Sequence, residues 1–112
     1  MADGRQHIED TRTIILDVAG GLDGFRDSMS DDQFAEFEMY MESTQKWVKM
    51  CRKKVWLRGK EGTDRAQRCL DSAQQLHASQ DQPVVAVDAA GDLAAQLESL
   101  ARVLATKSQV LT

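Results

Sequence analysis

One proline, two cysteines and two histidines are spread through 112 residues, and each scarcity removes a class of protein. Two cysteines cannot build the disulfide scaffold of a small secreted domain. Cys51 and Cys69 have no second cysteine pair to complete a zinc set. His7 and His77 lie far apart, and neither follows a glutamate at the Glu-x-x-His spacing of bundle metal sites. No metal and no cofactor are therefore expected. No apolar run reaches the roughly 18 residues of a membrane span, so no membrane role is expected. The opening Met1-Ala2-Asp3-Gly4-Arg5-Gln6-His7 lacks the apolar stretch of a secretory signal, which predicts a cytoplasmic protein. Aromatic residues are few and confined: Phe25, Phe34, Phe37, Tyr40, Trp47 and Trp56 are the whole set.

Catalytic constellations are equally sparse. Asp31, Asp32, Glu36, Glu38 and Glu42 spread around what reads as the solvated start of a helix, whereas paired acid–base work needs a shared cleft. No nucleophile stands beside a base, and no enzymatic activity is expected. Gly20-Gly21-Leu22-Asp23-Gly24 departs from the Gly-x-Gly-x-x-Gly phosphate cradle and follows no strand. Gly59-Lys60-Glu61-Gly62 has the spacing of the loop by which KH domains grip nucleic acid. The three strands of that fold are missing, and Glu61 puts an acid where phosphate would lie. The stretch reads as a turn between helices. His7, beside Glu9 and Asp10, reads as a solvated residue, and the two cysteines as small buried hydrophobes.

What the chain does have is helical periodicity and segregated charge. Residues 1–42 sum to −8, residues 43–68 to +7 and residues 69–112 to −3, against a whole-chain value of −4. Apolar residues recur at steps of three and four at Ile8, Thr11, Ile15, Val18, Leu22, Phe25 and Met29, predicting a first helix over about 5–28. Gly20, Gly21 and Gly24 interrupt it; the helix bends or packs closely there, with a break near Gly20-Gly21 as the alternative. Ser30 and Gln33 form a capping-box pattern, with Met29 and Phe34 placed as a staple, so a second helix starts at 31. Its seam, Phe34, Phe37, Met41, Thr44, Val48, Cys51 and Val55, carries it to about 58, with Gly59 as the stop. Asp64 reads as the cap of a third helix over 64–79. Pro83 opens a fourth over 84–108, with Leu93, Leu97, Leu100, Leu104 and Leu111 on one face. No alternating run is long enough for a sheet. The expectation is a single all-α domain over 1–112, a four-helix bundle or helical hairpin assembly. Its regular seams also suit a homodimer.

A helical wheel isolates one anomaly. With Val48 at zero and about 100° per residue, the seam residues Phe37, Met41, Cys51 and Val55 gather near zero. Met39, Met50 and Leu57 fall on the opposite side, with Lys46 and Lys53 beside them. A back face should be polar; apolar residues there mean burial against a second surface. Either this helix is central and wrapped on both sides, or the face binds a partner protein. On the second reading Met39, Trp47, Met50, Trp56 and Leu57 are contact residues, since Met adapts to irregular surfaces and Trp is enriched at hot spots. Lys46 and Lys53 would steer an acidic partner. Nucleic acid binding through the basic Lys46–Lys60 stretch competes, but overall acidity and the preceding acidic block disfavour it. A secretion or assembly chaperone is a third reading.

The segment Phe34-Ala35-Glu36-Phe37-Glu38-Met39-Tyr40-Met41, leading into the basic stretch of a small acidic helical chain, resembles the QslA-like antiactivators. These are small helical bacterial proteins that bind LuxR-type quorum-sensing receptors. The resemblance implies a non-enzymatic dimer that docks on a transcription factor's ligand-binding domain and prevents its productive dimerisation or DNA binding. It carries no site residues onto this chain.

Overall fold

The computed structural model describes residues 3–111, and the side chains of residues 3–107. Every regular element among the described residues is helical, in the order α1 (Gly4–Gly20), α2 (Leu22–Arg26), α3 (Asp31–Cys51), a 3-10 turn (Val55–Arg58), α4 (Lys60–Ala78) and α5 (Pro83–Leu111). The all-α expectation holds. Five helices and a 3-10 turn stand where four helices were expected.

Two of the differences fall in the first half of the chain. The first helix breaks at Gly20-Gly21, as the alternative reading had it. Short α2 then carries Phe25 into the core against Phe37, with ring centroids 4.6 Å apart. The second helix begins as expected: the Ser30 hydroxyl accepts from the Gln33 N–H, and the Gln33 side chain accepts from the Ser30 N–H. It ends seven residues early, at Cys51 rather than Arg58. Arg52 is extended and Lys53 adopts φ 63°, the left-handed region that disfavours a side chain. Val55 therefore leaves the seam and is 64% exposed, whereas Leu57 turns inward and is fully buried.

The early stop lets the connection from α3 cross the end of the bundle. There Leu57 meets the starts of α1 and α4. The Thr63 hydroxyl donates to the Leu57 carbonyl at 3.0 Å and accepts from the Gly4 N–H at 3.1 Å. In consequence α4 starts at Lys60, four residues before the expected Asp64, with Gly59 as a cap that offers no side chain. Pro83 occupies the first turn of α5, and Val84–Val87 are helical. The Leu111 side chain lies outside the described residues. Because left-handed backbone strains any side chain but glycine's, Lys53→Gly is expected to raise stability by about 0.5–1 kcal/mol. Urea denaturation of the two proteins measures this.

Cross-helix pairs fix the topology. Gly4 meets Thr63 and Asp17 meets His77, so α1 and α4 run parallel. Arg52 pairs with Glu9, so α3 returns alongside α1 in the opposite direction. Ser72 bonds Asp92 and Gln96, so α5 runs antiparallel to α4 and alongside α3. The core between them holds Ile8, Ile15, Phe37, Met41, Leu76 and Leu93 among others, all essentially inaccessible.

This arrangement turns the linear charge pattern into a polar rod with its longest dimension 48 Å. The half formed by residues 14–45 and 72–95 holds 11 of the 18 acidic side chains and, of the 14 basic ones, only Arg26. The other half holds 13 basic side chains against 7 acidic. One half thus carries −10 and the other +6.

Candidate protein-interaction face

The outer surface of α3 is mostly polar or charged, as a solvated helix requires, and two large apolar side chains stand exposed on it. Met39 is 53% exposed and Met50 is 49% exposed. Eleven residues separate them, three helical turns to within about 20°, so they share one stripe with Ser43 and Lys46. Trp47 leans from this stripe toward α5 and is half-buried. The Lys46 ammonium lies 4.6 Å from its ring centroid and the Arg102 guanidinium 5.8 Å. Both cations favour the ring's electron-rich face.

On the α5 side the wall is made of small residues. Gly91, Ala94 and Ala95 leave a shallow groove of about 220 Å³ beside Met39, Ser43 and Trp47. A Cβ added at Gly91 would lie 3.0 Å from the Tyr40 ring, so the glycine lets that ring lie over α5. Tyr40 is held from the other side, its hydroxyl donating to Glu36 at 2.8 Å. That hydrogen bond and the Glu36 charge push the phenol above its ordinary pKa.

Of the seven residues singled out from the sequence, four come together on α3: Met39, Lys46, Trp47 and Met50. Lys53 lies beyond the helix end, in the turn. Trp56 is half-buried in the 3-10 turn, with the Lys107 ammonium 5.7 Å from its ring centroid. Leu57 is core, so its place on a partner face is withdrawn. The wheel assumed a helix running through 58, and the break at Arg52 rotates everything after it out of phase.

Two pairings escaped the sequence reading. Arg52 grips Glu9 through two hydrogen bonds of 2.8 and 2.9 Å, tying the start of α1 to the end of α3. The Arg52 hydrogen bonds hold the Glu9 carboxyl below its ordinary pKa. On α4 and α5, Ser72, Asp92 and Gln96 bond one another at 2.7–2.8 Å beside a groove of about 420 Å³ that Arg65 and Arg68 also line. Partners 20 and 43 residues apart in sequence leave no local spacing signal to read.

The histidine and cysteine readings divide. His7 was expected to be solvated, yet it is half-buried and its Nδ1 is sealed from solvent. Among the described residues no three His, Cys, Asp or Glu side chains gather as a metal site. Both cysteines are free and buried, as expected, and the Cys51 thiol donates to the Leu97 carbonyl at 3.6 Å. Burial pushes each thiol up to about 12. Native protein at pH 8 is therefore expected to resist thiol-directed reagents at both positions and to label fully once unfolded. The raised folded-state value means the fold keeps protons that the unfolded chain releases above about pH 9. Stability is then present below that pH and lost progressively toward about pH 12, which a pH series of melts reads directly.

No helix among the described residues is long and apolar enough to cross a membrane. Comparison with protein-family models, curated proteins and solved structures finds no match.

Proposed function

We propose that this chain is a non-enzymatic regulatory binding protein that occupies a partner protein's surface through the α3 strip of Met39, Lys46, Trp47 and Met50. The observation that carries this is the pair of half-exposed methionines on one stripe of the mostly polar outer face of α3. Leaving their exposed halves in water forgoes burial worth about 1 kcal/mol for each side chain. Thioethers adapt to irregular surfaces, and the neighbouring tryptophan supplies a rigid anchor. The small-residue wall of α5 leaves room for a partner helix to lie close.

The resemblance to antiactivators supplies the partner class: the ligand-binding domain of a LuxR-type transcription factor. The test is a gel shift of such a receptor on its DNA, titrated with wild-type protein and with Met50→Asp. Wild type is expected to abolish the shifted band and Met50→Asp to leave it. A shift unaffected by wild type at tens of micromolar sinks the proposed partner.

The basic half of the rod favours a second reading, nucleic acid binding. Against it, cations lie close to both tryptophan rings, where bases would stack. A mobility shift with DNA and RNA at 50 mM salt decides between them, and its absence removes this reading.

A further inference from the structure

The groove between α4 and α5 shares no lining residue with the groove beside the α3 strip, and its two ends differ in chemistry. One end carries Arg65 and Arg68, three residues apart on one side of α4. Each has an acid four residues earlier, Glu61 and Asp64, the spacing at which helical ion pairs form. On α5 the same spacing does pair Glu98 with Arg102. Among the described residues neither Arg65 nor Arg68 has an ion pair, and both side chains line the groove instead. Two like charges one helical turn apart repel, and an oxyanion seated between them removes that repulsion.

The other end offers acceptors. The Ser72 hydroxyl donates to Asp92 at 2.8 Å and accepts from the Gln96 amide at 2.7 Å, and that amide also donates to Asp92 at 2.8 Å. Both N–H groups of the Gln96 amide are thereby spent, which leaves its carbonyl oxygen for a ligand. Asp71 accepts from the Gln67 amide through one oxygen at 2.9 Å, and its other oxygen has no partner among the described residues. The level midway between the two arginines lies about 8 Å along α4 from Ser72, a distance that one sugar ring with its phosphate bridges. The groove's volume of about 420 Å³ suits a ligand of that size. We propose that this groove binds a phosphorylated sugar, its phosphate on Arg65 and Arg68 and its hydroxyls donating to Asp71 and Gln96. The Asp71 carboxylate makes the site selective, since a second phosphate at that end meets a like charge. The ligand is therefore anionic at one end only.

Calorimetric and amide-NMR titrations of the full chain test this with glucose 6-phosphate, glucose, inorganic phosphate and glucose 1,6-bisphosphate. Glucose 6-phosphate is expected to bind about tenfold more tightly than inorganic phosphate and to shift the amides of Ser72, Gln96 and Ser99. Glucose alone is expected to show no binding. The bisphosphate is expected to bind more weakly than the monophosphate, and Asp71→Asn to reverse that order. Arg65→Gln combined with Arg68→Gln is expected to weaken glucose 6-phosphate binding about a hundredfold, with the circular dichroism unchanged. A bisphosphate that binds wild type more tightly than the monophosphate shows plain charge attraction and overturns the site. A titration that shifts no groove amide overturns it too, as does a single-stranded oligonucleotide that binds more tightly through the same arginines. Because the groove and the α3 strip are separate, none of these outcomes alters the receptor gel shift or the reading it tests.

Discussion

Leu57→Asp is expected to unfold the protein, while Met50→Asp leaves its melting transition nearly in place. The sequence sets these two residues on the same back face of one helix. The fold separates them: Leu57 is fully buried between the starts of α1 and α4, and Met50 is half-exposed on α3. Replacing Leu57 removes a buried aliphatic side chain, a loss of about 2–5 kcal/mol, and adds a carboxylate without a partner. Together these cost about 5 kcal/mol or more, comparable with the entire stability of a small domain. Met50→Asp exposes no core and adds only an acid near the negative end of the α3 dipole, a penalty of about 0.3–1 kcal/mol. Far-UV circular dichroism with thermal melts distinguishes the outcomes. A folded Leu57→Asp would show that the 3-10 turn is not part of the core.

Gly62→Ala is expected to lose about 2–3 kcal/mol, although alanine is the better helix former. A Cβ at Gly62 would overlap the Trp56 carbonyl oxygen and come within 2.7 Å of the Leu57 Cα. Both are backbone atoms, so no side-chain rotation relieves the overlap. Gly4 faces the same turn from α1, where a Cβ would overlap the Leu57 carbonyl oxygen. The two glycines thus hold the 3-10 turn against both parallel helices. Gly24 provides the control, since a Cβ there meets nothing within 4 Å. Gly24→Ala is expected to be neutral or to stabilise by about 0.5–1 kcal/mol. Urea midpoints for the three proteins test the contrast, and equal effects at positions 24 and 62 would refute it.

These substitutions also mark where local reasoning stops. Spacing alone identified Ile8, Ile15, Phe37, Met41, Leu93 and Leu97 as core, because a helix buries one face and 3.6 residues per turn dictate which. The capping box at Ser30 and the break at Gly20-Gly21 are equally local. Met39 and Met50 stood out because eleven residues return a helix to nearly the same face. Leu57 was misplaced, and Val55 with it, because nothing near Arg52 in sequence announces the end of α3. The residues Arg52-Lys53-Lys54 include no glycine or proline. The break is imposed by Leu57, Gly4, Gly62 and Thr63 meeting across the bundle end.

Charge shows the same division. The acidic and basic blocks are properties of the sequence, and an isolated helix with acids at its start and bases at its end is simply matched to its dipole. Their gathering into a −10 half and a +6 half depends on which helices run parallel. That choice belongs to the tertiary structure. The sequence by itself determined that the chain is helical, where most helices begin, which stripe of each is buried and that α3 carries apolar residues it should not expose. Those properties follow from interactions within a few turns of one helix. Only the tertiary structure decided where α3 ends, that Leu57 is core while Met50 is surface, and that the charges form two poles. Each of these depends on contacts between residues far apart in the chain, and no period or local spacing encodes such contacts.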